Sequence, residues 1–304
     1  MSLALTEPPH ARAGVKLVRT KDELRAALAS ARADGSSVGL VPTMGCLHEG
    51  HLSLLRAARA ECDSVVMSLF VNPAQFGPGE DLERYPRDEQ RDAQLAEEAG
   101  VDLIYAPTVA EVYPDGSSTT VEVAGLTEVL CGDPSRRGPE HFQGVTTVVA
   151  KLFNTVQPDV AYFGQKDAQQ VAAIRRMVRD LDIPVRIEVL PIVREPDGLA
   201  MSSRNAYLSP AQRRQATALS RALQVVERTV HWDSLTAAIE AGRRELEKAG
   251  IEPEYLEARD AENLEPVAAL DGRPVLIAVA ARVGPARLID NVTIAADGGR
   301  EERT

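Results

Sequence analysis

Ser64-Val65-Val66-Met67-Ser68-Leu69-Phe70-Val71 is an almost unbroken apolar run of strand length. A strand wet on one side alternates apolar and polar residues. A run without that alternation belongs to a strand covered on both faces, as in a parallel sheet. Upstream, residues 38–41 read as a short apolar strand, 43–45 as a glycine-containing turn and 52–60 as a helix. Before them come a strand over 15–19 and a helix over 24–33. That helix opens on the capping-box pattern Thr20-Lys21-Asp22-Glu23 and stops near Gly35. Downstream, residues 72–86 are rich in Gly and Pro and read as a long surface loop. A helix over 88–99 follows, then a strand over 101–106, a helix over 145–156, a strand over 160–163, a helix over 168–181 and a strand over 185–190. Strands alternating with helices mean right-handed crossovers and a parallel sheet.

The rhythm changes after residue 192. Residues 210–228 and 234–249 read as helices, whereas 255–259, 275–282 and 287–294 read as strands with no helices between them. The expected organisation is an α/β domain over 1–192 and a smaller C-terminal α+β domain over 193–304. The hinge lies in 193–205, which contains Pro196, Gly198 and two serines. Residues 1–13 read as a loose arm and 297–304 as a charged tail.

Length and composition agree with one large or two ordinary domains: 304 residues, 44% hydrophobic and 26% charged. The net charge of −11 argues against a nucleic-acid coat, which needs a basic face, but leaves room for a local basic pocket. The strongly apolar stretch 275–281 is far shorter than the roughly 20 residues of a membrane span. The first residues lack the apolar core of a signal peptide. Cys46, Cys62 and Cys131 are scattered without CxxC spacing, so reduced thiols and a cytoplasmic location are expected. Only five of the basic residues are lysines, which draws attention to a lysine inside a motif.

The strongest chemical signal is Val41-Pro42-Thr43-Met44-Gly45-Cys46-Leu47-His48-Glu49-Gly50-His51, where a parallel strand ends and a helix begins. Ligands of open α/β sheets bind at that edge, where helix N-termini offer free N–H groups and about half a positive charge. Gly45 and Gly50 clear side chains from the backbone. On a helical turn His48 and His51 share one face, suited to a phosphate whose charge grows during reaction. A metal-binding pair is the alternative, but no third ligand is nearby and the spacing falls one residue short of HExxH. Simple capping or packing is the other.

Tyr162-Phe163-Gly164-Gln165-Lys166-Asp167 ends another apolar strand. Lys166 suits phosphate oxygens; Asp167 suits ribose hydroxyls or a helix cap. Alternatively Lys166 is a solvated surface lysine. Met201-Ser202-Ser203-Arg204-Asn205 in the hinge places hydroxyls and a guanidinium in one anion-binding loop, or is an ordinary serine-rich turn. Asn72 and Gln75 after the 64–71 strand, and Gln169 and Gln170 after Lys166, offer amides to a small polar substrate. Walker A, GxGxxG and GxSxG patterns are all absent, which argues against a P-loop kinase, an ordinary NAD enzyme and a serine hydrolase elbow. Asn291-Val292-Thr293 fits a glycosylation pattern that carries no meaning in a cytosolic chain.

Taken together, these segments resemble the pantoate–β-alanine ligase family. The resemblance rests on the Pro42–His51 motif, Phe70-Val71-Asn72-Pro73-x-Gln75-Phe76, His141-Phe142-x-Gly144-Val145, Phe163-Gly164-x-Lys166-Asp167 and Asp197-Gly198-Leu199-Ala200-Met201-Ser202-Ser203-Arg204-Asn205. It spans residues 15–295. The paired histidines alone mark only the wider nucleotidyltransferase superfamily shared with class I aminoacyl-tRNA synthetases; the five segments in order are more specific.

The resemblance implies a Rossmann-like sheet with helices on both faces. It also implies ATP-dependent ligation of pantoate and β-alanine through pantoyl adenylate, in a cytoplasmic homodimer. His48, His51 and Lys166 would be catalytic, with His51 the acid for departing pyrophosphate. ATP would contact Met44, Gly45, Cys46, Leu47, His48, Glu49, Gly50 and His51. It would also contact Gly164, Gln165, Lys166 and Asp167, the backbone near Val193 and Met201, and Ser202, Ser203 and Arg204. Gln75 and Gln170 would hold pantoate against Met44 and Phe163, and Gln75 would also meet β-alanine. Mg²⁺ would ride on the ATP phosphates, with Asp92 a nearby carboxylate. Two positions depart from the family pattern. Cys46 stands where alanine is usual, a thiol open to oxidation or alkylation. Gln165 replaces a glutamate, which removes a charge near the phosphates and should alter ATP affinity.

Two rivals make different demands. Nucleotidyl transfer to a phosphate acceptor would want a basic pocket where Gln75 and Gln170 stand. A non-catalytic nucleotide-sensing module would not need His48, His51 and Lys166. Residues 77–87 are expected to act as a lid.

Overall fold

The structure, a computed structural model, describes residues 14–295. The arm and tail expected at 1–13 and 297–304 lie outside them.

Six strands form one parallel sheet: β1 (Lys16–Val18), β2 (Val38–Thr43), β3 (Ser64–Leu69), β4 (Leu103–Tyr105), β5 (Val160–Gly164) and β6 (Arg186–Leu190), in the order β1-β4-β3-β2-β5-β6. β3 is the 64–71 run, and Val65, Val66 and Met67 are fully buried. Its neighbour β2 points Leu40 into one core and Val41 into the other, so both faces are covered. The first face carries α1 (Lys21–Ala33), α5 (Pro139–Val156) and α6 (Ala168–Asp180); the second carries α2 (Glu49–Glu61) and α3 (Glu89–Glu98). A short helix, α4 (Val109–Val112), follows β4.

From β2 the chain steps outward through β3 to β4, then returns to place β5 on the other side of β2. The strand order reverses between β2 and β5. The carboxyl ends of those two strands therefore open a crevice where loops diverge.

Beyond the sheet, α7 (Pro210–Ala216), α8 (Ala218–Thr229) and α9 (Leu235–Lys248) pack on an antiparallel sheet of β7 (Pro253–Asp260), β8 (Val275–Val283) and β9 (Ala286–Ile294). The other face of this small sheet, through Tyr255, Leu276, Ala278 and Ala280, completes the core that contains α5 and α6.

Several boundaries differ from the sequence expectation. α5 starts at Pro139 rather than near 145, because left-handed Gly138 (φ 85°) and a proline at the first helical position set its N-terminus. α2 starts at Glu49 rather than 52, with His48 as its cap. The expected single helix over 210–228 divides at Thr217 into α7 and α8. The capping box at Thr20 is present as read.

Candidate active site

The loop after β2 is built on a tight turn. Gly45 (φ 85°) and Cys46 (φ 51°) are successive left-handed residues. A side chain at Gly45 would sit 2.8 Å from both Asp92 Oδ2 and Leu69 Cδ1, so position 45 must be glycine. Asp92, on α3, holds the turn: Oδ2 accepts from the Cys46 amide and Oδ1 from the Leu47 amide, both at 2.8 Å. Burial raises its pKa, and the two amides pull part of that back. Asp92 is 1% exposed and both its oxygens are committed. Asp92 secures the backbone that presents the histidines. No cluster of three or more His, Cys, Asp or Glu among the described residues is arranged to hold a metal ion.

His48 lies just outside α2, with extended backbone, and its Nδ1 accepts from the Gly50 amide at 3.2 Å. His51 Nδ1 accepts from the His48 amide at 3.4 Å. An imidazole that accepts at Nδ1 carries its proton on Nε2, so both rings keep an N–H donor on the side away from the backbone. The rings lie 4.1 Å apart with a 32° tilt. The pair is thus a reciprocal helix cap as well as a donor pair. A Cβ at Gly50 would come within 2.9 Å of His48 Cε1, which is why glycine sits between the histidines. Burial, then the Lys166 charge, lowers His48 to about 4. Burial, then His48 and Lys166, lowers His51 to about 3. At neutral pH both are uncharged donors. A proton for pyrophosphate could come from His51 only after an incoming anion raises its basicity.

β5 ends in a 3₁₀ turn, Gln165–Asp167. Lys166 Nζ is 4.0 Å from Asp167. Asp167 precedes α6 without capping it, so its carboxylate stays available to a ligand. Gln165 turns away from the crevice, with Nε2 3.3 Å from Asn291 Oδ1. The charge that Gln165 replaces would therefore not face the phosphates directly. Gln169 is committed elsewhere: it donates to the Leu126 and Val129 carbonyls and accepts from the Cys131 amide. Gln170 is the glutamine of this pair that faces the crevice.

The strap after residue 193 crosses over the β2 turn. Ser202 caps the turn Ser203–Tyr207, and Ser203 Oγ donates to the Cys46 carbonyl at 3.4 Å. Arg204 makes two 3.1 Å bonds to Asp81, with its guanidinium 5.9 Å from the Tyr85 ring. Burial opposes ionisation of Asp81, but Arg204 outweighs it and holds the carboxyl below its usual range. Arg137 similarly reaches Glu80 at 2.8 Å. Loop 77–87 is thus fastened to the strap and to the segment before α5.

Gln75 sits on a 3₁₀ turn, Pro73–Gln75, pressed onto α5. A Cβ at Gly144 would lie 2.2 Å from the Ala74 carbonyl oxygen. Asn72 donates to the Gly144 carbonyl at 3.0 Å and accepts from Tyr113 at 2.9 Å, and Gln75 Nε2 lies 3.1 Å from Met44 Sδ. His141 receives Arg137 at Nε2 (3.1 Å) and donates from Nδ1 to the Gln75 carbonyl (2.7 Å). Burial, then Arg137, lowers its pKa to about 3.

Met44, His48, Gly50, His51, Gln75, Phe163, Gly164, Lys166, Asp167, Gln170, Val193, Met201, Ser202, Ser203 and Arg204 all border one cavity of about 240 Å³. Gly45, Cys46, Leu47, Glu49 and Gln165 border it nowhere. Gly45, Cys46 and Leu47 shape the turn, and Glu49 pairs with Arg56 on the outside of α2. A larger cavity of about 720 Å³, roofed by the C-terminal sheet, joins the first at residues that include Lys166, Gln170, Ser202 and Arg204. The smaller one is the candidate chemical centre, since it alone contains the imidazole pair. Sequence reasoning missed Arg137 and Asp81. Their partners lie dozens of residues away, and no local spacing announces them.

The family described as pantoate-beta-alanine ligase matches residues 16–293. The chain is 55% identical to pantothenate synthetase of Moorella thermoacetica over 285 residues, covering 92% of this chain and 99% of that protein. Pantothenate synthetase of Thermus thermophilus superposes with a TM-score of 0.86 at 49% identity, over 92% of this chain and all of that one. A Francisella tularensis pantoate-beta-alanine ligase, solved with beta-gamma ATP and beta-alanine, superposes at 0.76 and 32% identity over 92% of this chain and 97% of that one. With its crevice at the strand reversal, its paired imidazoles and these likenesses over nearly its whole length, the chain belongs to the pantoate–β-alanine ligase family.

Proposed function

We propose that the cavity between the β2 and β5 turns is where this ligase joins pantoate to β-alanine at the expense of ATP. The observation that carries the reading is the convergence on one cavity of two neutral Nε2–H donors, one ammonium and the Ser202–Arg204 strap, with Gln75 and Gln170 alongside. A carboxylate is a poor acyl donor because its leaving group would be oxide. In the first step a pantoate carboxylate oxygen bonds to the α-phosphorus, and the bond from that phosphorus to the β-phosphate oxygen breaks. His48, His51 and Lys166 stabilise the charge that builds there, while Ser202, Ser203 and Arg204 grip the leaving pyrophosphate. Donors already fixed in place act without reorganising, which is the main source of rate in such transfers.

In the second step the β-alanine nitrogen attacks the acyl carbon, the carbon–oxygen bond to AMP breaks, and the amine loses a proton. Gln75 holds the pantoate hydroxyl and carboxylate and meets β-alanine; Asp167 and Gly164 hold the ribose. Arg204 spends Nε and Nη2 on Asp81, so a phosphate that draws the guanidinium away would loosen the strap's hold on loop 77–87. Mg²⁺ would supply charge neutralisation on the ATP phosphates. Among the described residues no cluster of three or more His, Cys, Asp or Glu is arranged to hold it. We also propose, on the resemblance, a cytoplasmic homodimer with the domain boundary near residue 192. No helix among the described residues is long and apolar enough to cross a membrane.

Mass spectrometry of a mixture of enzyme, ATP, Mg²⁺, pantoate and β-alanine tests the reading. Pantothenate and AMP are expected, together with pantoate-dependent exchange of labelled pyrophosphate into ATP. Exchange with a different acid but not with pantoate would reassign the substrate.

A further inference from the structure

We propose that Asp290 and Asn291, consecutive residues of β9, are positioning residues that set where Lys166 and the Ser202–Arg204 strap stand. The proposal rests on reading those groups as phosphate ligands. Neighbouring residues on a strand point to opposite faces, so two adjacent side chains can fasten two different segments. Asn291 points toward the parallel sheet and is 4% exposed. Its Nδ2 donates to the Gln165 carbonyl at 2.9 Å and to the Lys166 carbonyl at 3.0 Å, while Oδ1 accepts from Gln165 Nε2 at 3.3 Å. An asparagine amide supplies both donors from one short side chain, which aspartate, serine and alanine do not. The two carbonyls it holds are those of the turn that carries the ammonium.

Asp290 is 3% exposed and pairs with Arg194 through both oxygens, at 2.7 and 3.0 Å. Arg194 also donates to the Gly198 carbonyl at 3.1 Å, closing the bend whose far side runs into Met201 and the strap. One strand of the C-terminal sheet therefore sets the spacing between two segments that lie far apart in sequence. The strap would grip phosphate only before pyrophosphate leaves, whereas Lys166, at the α-phosphorus, would keep its phosphate in the adenylate. Through Asp290 the C-terminal sheet then acts on the first half-reaction, and through Asn291 on both. This gives the motif that reads as a glycosylation site a different use, with its asparagine buried against the turn it holds.

The test separates the half-reactions in the full-length enzyme. Asn291→Ala and Asp290→Asn are expected to slow pantoate-dependent pyrophosphate exchange by about 10²-fold, the scale of a misplacement near 1 Å. Attack of β-alanine on supplied pantoyl adenylate stays within about twofold of the parent in Asp290→Asn and slows in Asn291→Ala. Exchange in Asn291→Ala combined with Lys166→Ala is no slower than in Lys166→Ala alone, and Asp290→Asn adds nothing to Arg204→Ala. Losses that multiply in the double variants, or a loss in Asp290→Asn that falls equally on both half-reactions, overturn the proposal. Should Asn291→Ala not fold, Asn291→Ser retains one donor and must fall between parent and Lys166→Ala in exchange. If Lys166→Ala and Arg204→Ala leave exchange untouched, the phosphate reading itself fails and takes the proposal with it. If they slow exchange while Asn291 and Asp290 variants do not, only the positioning role is lost.

Discussion

An imidazole becomes a dependable N–H donor at neutral pH when two conditions hold: its other nitrogen is already accepting, and it resists protonation. His48 and His51 meet both, through the Gly50 and His48 amides and through burial beside Lys166. The spacing in the sequence announces the pair and the glycine between them. It says nothing of which nitrogen faces the ligand, because that depends on His48 leaving helical backbone to become a cap. Removing one such donor, His51→Ala, is expected to cost about 10²–10³ in adenylation rate, read by pyrophosphate exchange; an undiminished rate would refute the role. Gly50→Ala makes a subtler cut. Alanine favours the helix, and the atom it crowds is the end of the His48 side chain, so the unfolding temperature should hardly move. The ring must still shift, so exchange should fall while the fold persists. Equal activity in that variant would mean the His48 position is not used. At Cys46, burial and then Asp92 raise the pKa, which disfavours the thiolate form.

Among the elements, those with local signals were legible: the Thr20 box, the apolar β3 run, the glycine-terminated helices. The β2 turn was legible as a turn, but what holds it was not, because Asp92 arrives from α3 across some forty residues of chain. Nothing in the spacing of Glu89-Gln90-Arg91-Asp92 distinguishes a buried anchor from a surface carboxylate. Asp92→Ala leaves two main-chain N–H groups without partners and should cost about 2–5 kcal/mol in denaturant unfolding, with exchange falling alongside. A cost under about 0.5 kcal/mol, the level of an ordinary surface change, would count against the anchor. Loop 77–87 was legible as mobile-looking composition, yet it is held by Glu80–Arg137 and Asp81–Arg204. If Arg204 exchanges Asp81 for phosphate, limited proteolysis of the loop should change when ATP and pantoate are added. It should also be faster in unliganded Asp81→Asn than in the parent. Unchanged cleavage in all these states would remove the link between loop and nucleotide.

At the scale of the whole molecule, the alternation of strands and helices and its end near residue 192 are enough to anticipate a parallel sheet followed by a small antiparallel one. That alternation does not reveal that one face of the small sheet completes the core of the large one through Tyr255, Leu276 and Ala278. Contacts of that kind join residues more than a hundred positions apart and leave no periodic trace. The cavities beside the sheet have a thermodynamic consequence, since three histidines that line them are held neutral by burial. Their native values fall to about 4 for His48 and about 3 for both His51 and His141, against about 6.5 in an unfolded chain. Between those values the unfolded state holds protons that the native state lacks, so stability rises with pH. Full stability is present above about 6.5. It is lost as pH falls toward 4, where the native rings begin to take up protons themselves. Each histidine contributes up to about 1.4 kcal/mol per pH unit within that window. Carboxyls whose native pKa is lowered, such as Asp81 beside Arg204, add a loss of the same sign at lower pH. Urea unfolding measured from pH 7.5 to 4.5 should therefore show a free energy that is flat at first and then falls with a slope of more than one proton. His141→Asn should give a shallower fall by about one proton. A free energy independent of pH between 6.5 and 5 would mean that these rings titrate normally in the native protein, and that the cavity is wetter than its burial implies.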